Sequence, residues 1–426
     1  SGIALPIVVT PLAGPVPPTP LFQAAVTRAP ELDIAHAEER TSSWQAKRSA
    51  APMLPRIDTT AGLTSWADAR PAFPVGILRP GREAGVEVKA EQTLFQGGSL
   101  LGGYREAAAL HRAAESQTKA AREEVLYRAA WLSFDWQERR EALQYAEAEN
   151  SRRQGHWEAA RKRADAGVLS DADLRRAEAE AKKASADLIE AGRFLAETRH
   201  RLEMLTGLNL EDGLSPPFPL PVPGGDRKSL AEAARLANPR TRAAFQTLEA
   251  SRRAQAAADG RWAPALVAGA AQRGSIQTPE TLHQVRRESY GYLQARWNLF
   301  GGGESLAASQ GARAKTAAAK GRLQQTSDEA ALSASLAFDA AEAALSVLEA
   351  DEARVEAART AYDRTAKRHE AGMDPYLNLL DSASTLRSAE AERTKARYAR
   401  QRALLDLHRA LGTVETALLG GPGRGE

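Results

Sequence analysis

Apolar and polar positions along this chain follow two periods, one helical and one alternating, and the sequence runs through both twice. Leu21 to Ala51 has helical spacing, with Pro30 breaking it near the start and Pro52 and Pro55 ending it. Arg56 to Trp66 favours a strand through Ile57, Thr59, Thr60, Leu63 and Thr64. Asp68 to Gly85, rich in Pro and Gly, reads as a long loop. Val86 to Phe95 then alternates, with Val88, Ala90, Gln92 and Leu94 on one parity and Glu87, Lys89, Glu91 and Thr93 on the other. That pattern predicts a strand with one apolar and one polar face, stopped by Gly97-Gly98. Ser99 to Asp165 reads as one helix of roughly 100 Å at 1.5 Å per residue. Gly167-Val168-Leu169-Ser170 is a turn, with Ser170 as N-cap and Asp171 and Asp173 in the first turn of a helix reaching Thr206.

The second pass repeats the first. Thr93-Leu94-Phe95-Gln96-Gly97-Gly98 returns as Asn298-Leu299-Phe300-Gly301-Gly302-Gly303, Ala166-Gly167-Val168 as Ala371-Gly372-Met373, and Leu205-Thr206-Gly207 as Ala410-Leu411-Gly412. A constant offset over such distant landmarks marks a tandem duplication. The second unit predicts a helix over Ser229–Arg261, a strand after Pro264, a loop over Gly274–Glu288 and a strand over Tyr290–Phe300. A long helix over Glu304–Ala371, a turn and a helix to Leu411 complete it. The expected organisation is an extended N-terminal arm (1–20), a first repeat (21–207), a Pro/Gly-rich linker (208–228), a second repeat (229–412) and a loose tail (413–426).

Composition narrows the function. The 426 residues are rich in Ala, Arg and Glu and carry a net charge of +3, with Arg interleaved among Glu as on solvated helix faces. No basic stripe suggests nucleic acid. The lack of cysteine excludes disulfides, thiol catalysis and a lipid-anchored N-terminal Cys. No run of about 18 apolar residues is evident, so no transmembrane helix is expected. The first residues lack a charged and then apolar leader, as in a mature exported chain or one without a signal. The seven histidines are scattered without metal-ligand spacing, and Gly301-Gly302-Gly303 lacks the Lys-Ser/Thr of a phosphate loop. No nucleophile context appears, so neither enzyme activity nor a cofactor is expected. Trp131 and Trp136 read as packing residues; Tyr290, Tyr292 and Trp297 could mark an interfacial aromatic girdle.

Two-faced strands arise either between a core and water or between lipid and a wet lumen. Four strands cannot close around a lumen, and open edges cannot sit in lipid. Strands that cross a membrane must therefore combine between copies, and three chains give twelve. The alternative is a small soluble sheet beside a coiled coil. The long helices, fed directly by each strand pair, tip the balance to the membrane reading.

From Leu21 to Thr413 the chain resembles the TolC family of outer-membrane channel proteins. The marks are the duplicated unit, Leu94-Phe95-Gln96-Gly97-Gly98 with Leu299-Phe300-Gly301-Gly302-Gly303, Pro55 and Pro264, and Ala371-Gly372-Met373-Asp374-Pro375-Tyr376-Leu377-Asn378-Leu379-Leu380-Asp381. The resemblance implies a mainly α fold with four strands per chain and a homotrimer closing a twelve-stranded barrel. It implies the outer membrane of a Gram-negative bacterium, with a helical tunnel extending into the periplasm. Val88, Leu94, Leu293, Trp297 and Leu299 would face outer-membrane lipid. Gly167, Val168, Leu169, Ser170, Gly372, Met373 and Pro375 would form tips that dock a periplasmic adaptor protein. The family's paired gate acids fall on Asn378 and Asp381, and its latch on Asp173, His369 and Asp374. The amide at Asn378 and the changed latch partners imply an altered lock. Asp173 reads equally as a first-turn carboxylate, and Asp381 as a surface acid.

Function is then that of a passive exit duct. Type I protein or toxin secretion with an ABC transporter is preferred because an N-terminal Cys is absent. The alternative is drug or metal efflux with a proton-driven RND-type pump, and the distant one is a soluble coiled-coil scaffold.

Overall fold

The computed structural model describes residues 16–65, 71–72, 77–78, 82–215, 219–278, 284–371, 373–374 and 376–420. It divides into two compact units. One comprises 1–35, 117–241 and 326–426, and the other 36–116 and 242–325.

The second unit holds the sheet. Strands β1 (Arg56–Ser65), β4 (Arg82–Gln96), β5 (Ala265–Thr278) and β6 (Gln284–Arg296) pair antiparallel in the order β1-β4-β5-β6. A two-residue ladder joins β2 (Pro71–Ala72) to β3 (Ile77–Leu78). The two predicted hairpins are thus one sheet, joined where β4 meets β5. Both expected loops are shorter than their glycines suggested. β4 starts at Arg82 and pairs through Gly85, while β5 and β6 extend to Thr278 and from Gln284. A single Gly is tolerated in a strand when the partner backbone supplies the ladder.

The strand expected to reach Phe300 ends at Arg296. Arg296 pairs with Ala265, and beyond it the partner strand gives way to Pro264 and a 3-10 turn, Gly260–Trp262. Trp297 and Leu299 therefore lie past the strand rather than on it, and Trp297 Nε1 donates to the Trp262 carbonyl at 3.0 Å.

At both exits from the sheet the chain bends on paired glycines of positive φ, Gly97-Gly98 and Gly302-Gly303. The first exit is crowded: a Cβ on Gly97 would fall 1.8 Å from the Gly260 carbonyl oxygen, whereas one on Gly302 or Gly303 would meet nothing.

The first unit is helical, and several of the chain's helices have residues in both units. α1 (Pro18–Arg28) starts inside the expected extended arm and buries Leu21, Phe22 and Ala25; residues 1–15 lie outside the described chain. α2 (Pro30–Ala50) follows the break at Pro30. α3 (Ser99–Asp165) and α7 (Glu304–Glu370) are each 67 residues long, α4 (Asp171–Thr206) and α8 (Tyr376–Leu411) each 36. The helix predicted over Ser229–Arg261 is broken into α5 (Arg227–Ala237) and α6 (Pro239–Asp259), because Pro239 forces Asn238 out of helical geometry. In the linker Leu210, Leu214 and Leu220 are buried, and Val16 bridges Leu214. The tail departs from expectation. Val414–Leu419 forms α9, which buries Val414 and Leu418 against the same core. That core includes Phe22, Leu126, Phe134, Trp136, Leu202, Tyr398 and Leu405, with Trp131 packed beside it.

Within its length α7 contains an 18-residue window apolar enough for a membrane span, 22% buried, which the sequence reading did not anticipate. Its apolar character comes largely from alanine, which does not form an evident run of bulky residues.

Candidate gate and channel lining

Directly paired residues of an antiparallel sheet share a face, so the register sorts the sheet chemically. One face carries Leu63, Val86, Val88, Ala270, Ile276 and Leu293, relieved by Thr59 and Gln272 and, toward the ends of the strands away from the long helices, by Arg82 and Arg287. The other carries Asp58, Glu87, Lys89, Glu91, Arg273, Tyr292 and Arg296. The alternation seen separately in the two repeats is therefore one mainly apolar and one charged surface. Val88 and Leu293 are exposed on the apolar side. Leu94 is exposed too, at the register shift between Thr93 and Phe95.

The charged face is internally neutralised. Lys89 pairs with Glu91 at 2.7 Å, Arg273 with Glu83 at 3.1 Å, and Arg286 with Glu288 at 2.7 Å. Tyr292 donates its hydroxyl to Glu91 and has Lys89 5.6 Å from its ring. Tyr290 and Tyr292 thus belong to the charged face, not to an aromatic girdle on the apolar one.

At the other end of the long helices, Ser170 caps α4: its Oγ accepts from the Asp173 N–H at 3.2 Å and donates to the Asp173 carboxylate at 2.7 Å. Asp173 closes this cap, as a first-turn acid does. Val168 and Met373 are exposed, and Leu169 is partly covered. Gly167 takes positive φ to end α3. Gly372 and Pro375 lie outside the described residues. His369 and Asp374 are brought together, with Nδ1 2.8 Å from the Asp374 carbonyl, and Arg368 holds the Asp374 carboxylate at 3.0 Å. The latch positions therefore bond within their own turns. Asn378 and Asp381 are both exposed on the first turns of α8.

A polar scaffold that the sequence pattern does not reveal lies behind them. Arg152 on α3 donates to the Leu380 carbonyl at 3.2 Å and to Ser384 Oγ at 3.4 Å, next to Asp381. Arg153 turns the other way, to Glu180 on α4. Glu149 accepts from both arginines. Burial alone would raise the Glu149 pKa, but the two guanidiniums outweigh it and hold the carboxyl below its usual range. Burial, then the charges of Arg152 and Arg153, hold His156 below the ordinary histidine value. Further along α3, Glu141 accepts from Thr394, Arg397 and Tyr398 of α8. Burial, then the Glu141 carboxylate, pushes the Tyr398 phenol to about 12, so it stays a donor. Adjacent Arg152-Arg153 after Glu149 was the available signal, since neighbouring helix positions diverge by about 100° and can serve two partner helices.

Among the described residues no group of three or more His, Asp or Glu could hold a metal ion. The arrangement offers a two-faced sheet, an acid-bearing turn region and a charged strut that fixes it.

A family model described as outer membrane efflux protein matches residues 21–208 and again 230–413. No curated protein matches the sequence. Solved structures resemble the fold at low identity. The Campylobacter jejuni CmeC outer membrane channel gives a TM-score of 0.78 at 16% identity, over 96% of this chain and 90% of that one. The open state of the Neisseria gonorrhoeae MtrE outer membrane channel gives 0.75 at 21% identity, over 93% and 88%. The outer membrane protein VceC from Vibrio cholerae gives 0.71 at 18% identity, over 92% and 95%.

Proposed function

The chain belongs to the TolC family of outer membrane efflux proteins, and from that membership we propose that three copies form the passive exit duct of a tripartite export system. The family is one of outer-membrane channels rather than enzymes. The observation that carries the assembly is the sheet, which is four strands wide, two-faced and ends on β1 and β6. Strand edges cannot face lipid. Pairing β6 of one copy with β1 of the next removes both edges, and three copies give twelve strands, an even number within the range of bacterial barrels. The apolar face then meets outer-membrane lipid and the charged face lines the lumen.

In this reading α3, α4, α7 and α8 extend into the periplasm, and the turns at Gly167 and Gly372 meet an adaptor protein coupled to an inner-membrane pump. Three copies of Asp381 ring the constriction and attract cations. Asn378 adds no charge beside them, and Arg152 fixes the helix that carries both. For the cargo, the family description favours small-solute efflux, with an RND-type pump, over type I protein secretion with an ABC transporter. The initial residues carry no weight in that choice.

Reconstitution of the purified protein into planar bilayers tests the duct. Discrete single-channel currents are expected. A protein that extracts without detergent and passes no current would instead be a soluble scaffold. For the cargo, deletion should sensitise cells to dyes or metal ions; loss of an exported protein with unchanged sensitivity would favour secretion.

A further inference from the structure

The mainly apolar face of the sheet is broken by two cations. Arg82 on β4 and Arg287 on β6 share it with Leu63, Val86, Val88 and Leu293, and both arginines are exposed. On the opposite face arginines have acids beside them, Arg273 with Glu83 and Arg286 with Glu288. Among the described residues, the face of Arg82 and Arg287 carries no carboxylate at all. Its positive charge is therefore not balanced from within the sheet. Next to Arg287 a groove runs between Leu63, Val86 and Ile276, floored by the small residues Ala61, Ala84 and Gly274.

The height of these residues matters. From Arg296, the last residue of β6, to Arg287 the strand climbs about 23 Å, at about 3.4 Å per residue and a tilt of about 40°. The apolar band of a membrane barrel is about 25 Å tall, so Arg287 emerges where lipid tails give way to headgroups. Arg287, Gly274 and Val86 share a row, and Arg82 stands further out along β4, about 10 Å higher. An arginine amid lipid tails is costly, whereas one at the headgroups is tolerated.

We propose that this corner of the sheet binds an acylated, phosphorylated glycolipid of the outer leaflet, with an acyl chain in the groove and phosphates on Arg287 and Arg82. Guanidinium forks match phosphate oxygens with paired hydrogen bonds. The step in height between the two arginines suits a headgroup with two phosphates. A free anion would make no use of the groove, and an uncharged lipid none of the arginines. The inference rests on the duct reading, which sends the long helices into the periplasm and turns this end of the sheet outward.

Native mass spectrometry of the full-length protein in detergent tests it, with diphosphorylated lipid A, dephosphorylated lipid A and phosphatidylglycerol as probes. The diphosphorylated form should bind about tenfold more tightly than the dephosphorylated one, the worth of one or two charged hydrogen bonds. Arg82→Gln with Arg287→Gln should abolish that preference. A Cβ on Gly274 meets nothing, so Gly274→Ile should fill the groove without distorting the strand. It should weaken both forms of lipid A alike and leave the preference for phosphate intact. Equal binding of the two forms by the wild type, a double variant that keeps the preference, or a Gly274→Ile variant that binds as the wild type would overturn the site. Phosphatidylglycerol bound as tightly as lipid A would overturn the glycolipid assignment. The same preparations are recorded in planar bilayers. Normal currents without a phosphate preference overturn the lipid site and leave the duct standing, whereas absent currents overturn the duct and this inference with it.

Discussion

Tyr292 lies across Gly269: a Cβ on that glycine would sit 2.4 Å from Tyr292 Cζ. Glu91, Gly269 and Tyr292 form one row over β4, β5 and β6. The missing side chain lets the phenol cross the middle strand and donate to Glu91, an aromatic covering a strand glycine. Gly269→Ala should push Tyr292 outward and break that bond at a cost of about 1 kcal/mol, because the colliding atoms are the free end of a side chain. Tyr292→Phe should lose the same bond without the collision. Thermal dissociation of the proposed trimer, followed by electrophoresis, reads both; an unaffected Gly269→Ala variant would argue against the row.

Arg152 is the strut behind the proposed gate. Arg152→Ala removes its bonds to Leu380, Ser384 and Glu149 and should loosen α8 by about 1–3 kcal/mol, the usual cost of unmaking charged hydrogen bonds. Larger or more frequent channel openings are expected. Arg152→Lys should rescue them only partly, because an ammonium lacks the planar fork that reaches two helices. Unchanged conductance in both variants would remove Arg152 from gating.

The proposed ring of Asp381 side chains predicts cation sensitivity. Asp381→Asn should weaken block by divalent cations in planar bilayers, and Asn378→Asp should strengthen it by enlarging the ring's charge. Block that ignores both changes would place the constriction elsewhere.

His408 ties the C-terminal segment to the linker. The Pro221 carbonyl, 2.9 Å from Nε2, can only accept, so Nε2 carries the proton and Nδ1 accepts from the Thr413 hydroxyl at 2.9 Å. Burial holds the His408 pKa below its ordinary value. A depressed folded pKa gives stability that is present above the unfolded value of about 6.5 and is lost as pH falls through the folded one. His408→Phe should therefore cost about 1–3 kcal/mol at pH 8, with the gap to the wild type narrowing on acidification. A gap that stays constant in denaturant melts from pH 8 to pH 5 would refute this.

How much of this was legible depended on range. Equal spacing of Gly97-Gly98 and Gly302-Gly303 disclosed the duplication, and the alternation around Val88 and Leu293 disclosed two-faced strands. Those signals are local, and local rules carried them. The join of β4 to β5 was not legible, because strand pairing over nearly two hundred residues leaves no mark in either strand. Nor was the packing of Val414 and Leu418, where chain-end composition suggested a loose tail. The assignment of Asn378 and Asp381 to a gate rests on the resemblance alone. The Arg152 strut was not legible, because its partner on α8 includes a backbone carbonyl, which any residue offers.

The unequal glycine bends between sheet and long helix have a mechanical meaning. The one after β4 is jammed against Gly260, while the one before α7 turns in open space. A twisting load arriving along α3 would be handed to the sheet, and the same load along α7 would be absorbed at Gly302. The two repeats would thus behave as a stiff axle and a slipping clutch. Faster amide exchange at Gly302 than at Gly97 is the expected signature, and equal rates would mean that both joints carry load alike.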